Sequence, residues 1–346
     1  MLSVTTFVIV SVIKTVIAIF VLLTAVAYSV WLERKVVGHI QNRWGPTRVG
    51  PFGLLQPLAD GVKFLMKEDL TPPYVYKPLY IAAPMLSVIF ALTSIAVIPV
   101  GNWVNIGSIQ TPLQITDVNI GLLIVLGITS MGVYGVALAG WSSNSKYSLL
   151  GSLRASAQMV SYEIALGLSL IGVLIMSGSF SLREIVDAQA GHFWGFIPNW
   201  NVFRGQEVAF FIYLMAAFAE TNRVPFDLPE AETELVAGYH TEYSAMKFAM
   251  FFMAEYANMI TVACLASLLF LGGWHGPLFG PHVLQEVLPL FWFFLRVFGF
   301  LFLYIWIRGT LPRFRYDQLM NFGWKFLFPL AVANLVITAL VVALRS

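Results

Sequence analysis

Long apolar runs, broken by short polar segments, make up most of this chain of 346 residues. A lipid-spanning helix needs roughly 20 consecutive, mostly apolar residues. Seven stretches meet that length: Val4–Leu32, Tyr80–Val100, Ile120–Trp141, Ser156–Met176, Ala245–Leu271, Val287–Ile307 and Trp324–Leu344. An eighth, Val208–Ala219, is too short alone. It reaches a plausible length only if Gln206, Glu207, Glu220 and Thr221 belong to the same helix. The pattern predicts an all-α polytopic membrane protein with about eight transmembrane helices, in a single membrane domain over residues 1–346.

A different periodicity appears between the first two runs. In segment 53–68, Leu54, Leu58, Val62 and Leu65 recur at helical spacing, while Gln56, Asp60, Lys63 and Lys67 recur on a second face. That is the period of an amphipathic helix, and Pro57 suits its first turn. Such a helix lies in the interface with its apolar face toward lipid. The plainer alternative is a loop helix packed on the span ends; the sharper one is a lateral gate beside a hydrophobic ligand. Most of the polar mass falls in two inner loops, 33–77 and 220–247. The longest outer segment, 178–206, is expected to hold a short helix near Leu182–Ala188.

Composition agrees with the runs: 58% of residues are hydrophobic and 11% charged, with a mean hydropathy of +0.79. No ordinary soluble domain has such values. Lys and Arg in the loops set the orientation. With eight spans, fifteen of these residues fall in the odd-numbered loops and three on the opposite side. The odd loops are therefore expected inside and both termini on the outer side. The first run is read as a span rather than a cleavable signal peptide, because no positive charge precedes it and Lys14 interrupts it. Lys14, near the outer end, is expected to be structural. A net charge of +2 gives no reason to expect a nucleic-acid partner, and the one cysteine, Cys264, permits no internal disulfide.

Four charged residues then stand out. Glu163, Glu220, Glu255 and Arg296 lie inside or at the lip of apolar runs. Each costs on the order of 3 kcal/mol at membrane depth, so each needs a bundle interior, a wet cavity or a partner. Six carboxylates also lie between Glu220 and Glu242, among them Asp227, Glu230, Glu232 and Glu234, with Arg223 and Lys247 opposing them nearby. Pro225 and Pro229 prevent one continuous helix there. A solvated acidic loop is the bland reading; a proton route is the sharper one. A single Glu–Arg pair would serve as structural glue, but three glutamates to one arginine favour the route. No nucleotide-binding glycine motif is present. The histidines are scattered without ligand spacing, so neither a metal site nor a redox centre is indicated. If the chain takes part in electron transfer, another subunit supplies the electrons.

Three motifs carry a resemblance. They are Glu33-Arg-Lys-Val-Val-Gly-His-Ile-Gln-Asn-Arg-Trp-Gly-Pro, Gly53-Leu-Leu-Gln-Pro-Leu-Ala-Asp-Gly-Val-Lys and Glu220-Thr-Asn-Arg-Val-Pro-Phe-Asp-Leu-Pro-Glu-Ala-Glu-Thr-Glu-Leu-Val-Ala-Gly. Together they resemble the H-type membrane subunit of the proton-pumping NADH:quinone oxidoreductase, respiratory complex I, which is subunit 1 in mitochondria. The resemblance covers essentially the whole chain. It implies a translocase subunit at the junction of the membrane and hydrophilic arms, in a bacterial inner (plasma) or mitochondrial inner membrane. Its substrate would be a quinone, ubiquinone or menaquinone, entering a chamber formed in large part by this subunit. NADH, FMN and iron–sulfur clusters would belong to partner subunits, and no residue here need be catalytic. Glu33, Arg34, Arg43, Asp60 and Lys63 would line the chamber entrance or its charged wall. Phe226, Asp227, Glu230, Glu232 and Glu234 would belong to the loop connecting the chamber to the membrane interior. Glu163, Glu220, Glu255 and Arg296 would begin a buried polar axis toward antiporter-like membrane subunits. The other partners implied are the peripheral subunits at the quinone site and membrane lipid.

Other readings stay open at this point. One is the homologous membrane anchor of a membrane-bound hydrogenase or formate hydrogenlyase. Another is a stand-alone ion transporter, although no inverted repeat is visible. A purely structural anchor would leave the buried glutamates unexplained.

Overall fold

The computed structural model describes residues 4–106, 109–193, 197–227, 237–279 and 281–345. Among these residues seven helical segments are long and apolar enough to cross a membrane: Val8–Ile40, Lys77–Val97, Gly121–Ser142, Lys146–Ser177, Ala245–Phe270, Gln285–Thr310 and Tyr316–Arg345. The chain is an all-α, multi-pass membrane protein. In chain order the helices are α1 (Val4–Ile40), α2 (Gln56–Met66), α3 (Lys77–Ser94), α4 (Gly121–Ser142), α5 (Lys146–Ser177), α6 (Leu182–Asp187), α7 (Glu207–Glu220), α8 (Ala245–Phe270), α9 (His282–Thr310), α10 (Tyr316–Phe322) and α11 (Phe328–Arg345). A π-helical turn, Gly323–Leu327, joins the last two.

Helix α8 forms the centre. Its residues are buried on every side from Met259 to Phe270, as expected of an apolar helix surrounded by others. Helices α3, α7 and α9 pack around it, and α4 and α5 complete the layer behind them. Small residues let the backbones approach. A Cβ added at Gly135 would sit 2.0 Å from the Ser87 hydroxyl, and one at Gly140 would sit 2.0 Å from that of Ser152. Such close crossings supply the packing and interhelical hydrogen bonds that hold bundles together in lipid. Ser94 and Thr261, both buried, share one such bond at 3.1 Å.

The weak eighth run is α7. Its helix takes in Glu207 and Glu220, with Gln206 and Thr221 at its two caps. Fourteen residues rise only about 21 Å, short of the ~30 Å hydrocarbon core. The missing length is irregular backbone, Thr221–Asp227, buried among the other helices. Non-helical backbone at this depth is tolerated only inside protein or along a wet cavity. An eight-span count therefore treats α7 and this segment together as one crossing.

The first long polar loop begins later than the hydropathy pattern implies. Helix α1 continues through Glu33 and Arg34 to Ile40, because charged straight-chain residues favour helix and nothing breaks it before Asn42, at φ 54°. Beside it, α2 has no buried residue. Its apolar face is open, with Leu58 70% and Leu65 71% exposed. At the other end, Lys14 donates to the carbonyls of Pro112 (2.7 Å) and Gln114 (3.1 Å). It thereby ties α1 to the β1–β2 hairpin (Trp103–Ile106, Ile109–Pro112), the structural role expected for it. The short outer helix falls at α6, and a second hairpin, β3–β4 (His192–Phe193, Ile197–Pro198), follows it.

The charge asymmetry gives the orientation test. Lys67 and Arg204 are both exposed and lie on opposite sides in the eight-span arrangement. Cysteines placed there, in a background lacking Cys264, should react with an impermeant thiol reagent from opposite faces of sealed vesicles. Labelling from one face would rule that arrangement out.

Candidate functional site

The site is organised by the turn that follows α7. The amide nitrogen of Gln158, on α5 and fully buried, donates to the carbonyls of Ala219 (2.9 Å) and Phe226 (2.8 Å) and lies 3.3 Å from Asn222 Oδ1. One side chain thus clamps both ends of the turn. Asn222 adopts φ 50°, and the Val224–Pro225 bond is cis. Phe226 is buried between the rings of Tyr162 and Phe314, each at 5.6 Å. The clamp leaves Glu220 in the bundle and sends Arg223 toward Glu33 on α1 and Glu255 on α8, and Asp227 toward Arg313 after α9.

Arg223 lies between two carboxylates. Its guanidinium is 3.8 Å from Glu33 Oε2 and 3.8 Å from Glu255 Oε2, and it sits over the Tyr256 ring at 4.2 Å. The Tyr256 hydroxyl donates to Glu33 (2.9 Å) and that of Tyr239 to Glu255 (2.8 Å). Arg308, on the last turn of α9, donates to the other oxygen of Glu33. Arg313 donates to Asp227 at 3.2 Å. Three arginines therefore meet three carboxylates from distant parts of the sequence, as buried charges require.

Glu220 and Glu163 lie deeper and have no such cation among the described residues. They are near enough for their charges to act on each other, and Glu163 is within hydrogen-bond reach of the Ser130 hydroxyl on α4. Arg296 is not brought to these glutamates. It donates to the carbonyls of Gly273 and His275 and lies over the Trp200 ring at 4.6 Å. In doing so it fastens the 272–276 loop at the opposite end of α8. The sequence places Arg296 with these glutamates on one buried axis; in the structure its contacts are with this loop. A mid-run arginine can equally satisfy itself on backbone carbonyls, and linear position does not distinguish the two.

The remaining expected residues separate into two groups. Asp60 of α2 accepts from Arg34 at 2.6 Å, Lys63 at 3.1 Å and Gln56 at 3.2 Å, which latches α2 to α1. Arg43 is exposed and bonds Gln41 at 2.8 Å. Glu230, Glu232 and Glu234 lie outside the described residues. Glu33 stands apart from the latch, inside the arginine cluster. Arg308 and Arg313 were not singled out from sequence. The signal available was charge balance: six carboxylates in one inner loop and a cluster of arginines at the end of another.

A cavity of about 300 Å³ adjoins the cluster, lined by Asp227, His240, Tyr243, Phe252, Arg308 and Arg313, among others. Aromatic faces and fixed charges share its wall. Burial pushes the Tyr243 phenol up to about 12, so it stays a neutral donor. A clasp holds the adjoining inner segments together. Lys247 pairs with Asp69 at 2.9 Å, and the Tyr74 hydroxyl donates to Glu242 at 2.7 Å.

The profile of the NADH dehydrogenase family matches residues 13–339 of this chain. The NADH-quinone oxidoreductase H subunit of Koribacter versatilis, form 2, is 72% identical, with 99% of each chain aligned. The H subunit of Solibacter usitatus, form 1, is 53% identical over 97% of this chain and 98% of its own. That of Protochlamydia amoebophila is 52% identical over 91% and 92%. This chain belongs to the family of NADH-quinone oxidoreductase H subunits. Within the described residues, the three motifs of the sequence fall on the end of α1 and the turn after it, on α2 with the turn before it, and on the clamped turn after α7. These are the elements that build the arginine cluster and the latch.

The latch yields a pH prediction. Burial raises the Asp60 carboxyl, but the Lys63 hydrogen bond and the Arg34 charge outweigh it and hold it below its ordinary value. Its stabilisation is therefore complete above the unfolded value of about 3.9 and is lost as pH falls through the lower folded value. Arg34 and Lys63 are half exposed, which limits the effect to about 0.5–1 kcal/mol. At neutral pH, Asp60→Asn should speed amide exchange in α2 by roughly two- to fivefold. The difference should vanish in acid below the folded value. Equal protection at neutral pH would show that Asp60 does not hold α2.

Proposed function

We propose that this chain is the membrane subunit of a proton-translocating NADH:quinone oxidoreductase, and that it forms the quinone-access chamber and couples quinone reduction to proton translocation. The observation that carries the reading is the buried line of charge from the 300 Å³ cavity through Arg308, Glu33, Arg223 and Glu255 toward Glu220 and Glu163. The cavity offers aromatic faces for a quinone head and fixed charges at its rim. The open apolar face of α2 beside α1 suits a lateral entry for a long-tailed substrate from lipid.

In this reading the quinone is the substrate, ubiquinone or menaquinone. NADH, FMN and the iron–sulfur clusters belong to partner subunits, with antiporter-like subunits beyond the glutamates. Reduction of a quinone takes up two protons and passes through negative charge. A wall of paired ions responds to that charge by redistributing its pairs, and the glutamates beyond respond through their protonation. The coupling is a population shift, and no residue of this chain reacts with the quinone. Relatives are bacterial, which fits placement in a bacterial inner membrane.

The test uses Glu163→Gln, Glu220→Gln and Glu255→Gln in the assembled complex. Quinone reduction and proton pumping should fall together by about tenfold, equivalent to about 1.4 kcal/mol on the barrier. NADH oxidation by a water-soluble artificial acceptor, normalised to enzyme content, should hold steady. Three assembled variants that reduce quinone and pump protons at wild-type rates would refute the relay. A fall in the artificial-acceptor rate would refute the placement of this chain beyond the electron carriers.

A further inference from the structure

One buried cation lies outside both the arginine cluster and the latch. Arg183, on α6, is only 9% exposed, and all three of its guanidinium nitrogens are buried. Among the described residues none of the three makes a hydrogen bond. Asp117 Oδ2 stands 4.0 Å from Nε, beyond hydrogen-bond reach. The guanidinium lies over the Trp103 ring, 4.9 Å from its centroid. Helix α6 falls between the end of α5 and the start of α7, so Arg183 belongs to the end of the bundle away from Arg223.

A guanidinium carries five N–H donors, and leaving them unmet in a buried place is costly. The local charge is unbalanced as well. Lys14 of α1 is near enough for the two positive charges to act on each other, and it spends hydrogens on the carbonyls of Pro112 and Gln114. Two cations therefore stand against one carboxylate, that of Asp117, whose side chain is 42% exposed. The excess is one positive charge, which one phosphodiester would balance.

The surroundings favour a phosphate that carries acyl chains. Trp103 is 49% exposed and of the type that settles at headgroup level. Helix α1 is open around Lys14, with Val12, Ile13, Val16 and Ile17 between 52% and 62% exposed. A free inorganic anion would use only the charge; a lipid uses the charge and the apolar face together. We propose that Arg183 anchors a binding site for an anionic phospholipid, taking its phosphate in bidentate fashion while the acyl chains lie along α1. The guanidinium is covered, so the Trp103 ring turns aside to admit the phosphate. Two charge-assisted hydrogen bonds are a better partner for it than one cation–π contact. Asp117 competes with the phosphate for the same cation. The site uses none of the residues of the proposed relay, so either can fail alone.

The test uses the assembled complex in nanodiscs of equal parts phosphatidylglycerol and phosphatidylcholine. A trace of either lipid bears a photoactivatable acyl chain, and labelled peptides are read by mass spectrometry. The ratio of phosphatidylglycerol to phosphatidylcholine labelling on the first half of α1, relative to the other labelled spans, should be roughly fivefold, as one basic residue at a membrane surface provides. Arg183→Gln should bring it to one, and Arg183→Lys should keep part of it. Trp103→Leu, which removes the cover, should keep it in full. Asp117→Asn, which removes the competing carboxylate, should raise it by roughly two- to fivefold. If Arg183→Gln fails to assemble, Asp117→Asn carries the test, and an unchanged or lower ratio there would overturn the site. A wild-type ratio of one, or a ratio unmoved by Arg183→Gln, would overturn it too. Loss of the ratio in Trp103→Leu would assign the effect to the ring instead of the guanidinium. Loss of the ratio on adding excess inorganic phosphate would assign the site to the free anion. A neighbouring subunit's carboxylate bonded to Arg183 in a map of the complex would assign it to protein. Each of these three results overturns the lipid site.

Discussion

The arrangement depends on how Arg223 is shared. Its guanidinium is equally far, 3.8 Å, from a carboxylate on α1 and one on α8. Removing charge from water is expensive unless the charges are paired, and this one cation serves two anions. Everything that places it is itself buried: the Gln158 clamp, the short α7 and the Phe226 ring between Tyr162 and Phe314. Arg308 and Arg313 complete the balance from the far end of α9 and the segment after it. A helix too short to span, followed by irregular backbone, would be a defect on a lipid-facing surface. At the centre of the bundle it is what allows an arginine and an aspartate to reach Glu33, Glu255 and Arg313.

Much of this was legible in the sequence, for definite reasons. Spans are legible because lipid permits few alternatives to a long apolar helix, so Val8–Ile40 and its counterparts fall where the runs are. The period of Leu54, Leu58, Val62 and Leu65 marks α2 because no neighbour overrides an open face. Glu220 at a helix end was visible from the shortness of its run. Pairing was not legible. Arg296 and Arg308 stand twelve residues apart on one helix. One satisfies itself on carbonyls of the 272–276 loop, and the other meets Glu33. The choice is made by what α9 packs against at each end, which hydropathy does not record.

Five carboxylates along this line, among the described residues, fall into two kinds. Glu33, Glu255 and Asp227 have arginine partners. Glu163 and Glu220 have, among the described residues, only a serine hydroxyl and each other. Paired groups hold their charge and respond to a change by moving or exchanging partners. Groups without a cation respond by gaining or losing a proton. In the proposed reading, a line that begins with the first kind and ends with the second receives an electrical change at the cavity and delivers it as protonation of the second kind.

The proposed coupling needs no large motion. Two unit charges about 4 Å apart interact by about 4 kcal/mol at an effective dielectric of 20. About 1.4 kcal/mol already changes an equilibrium tenfold. Arg223 therefore need not leave either carboxylate. A shift of a fraction of its attraction from Glu255 to Glu33, or back, is enough to reset the proton affinity of the deeper group. The distances to the two carboxylates are equal, so Arg223 is committed to neither alone. A small charge appearing beside Glu33 then has more leverage than it would have on an arginine committed to a single partner. That is the physical advantage of one shared cation over two separate ion pairs at this position.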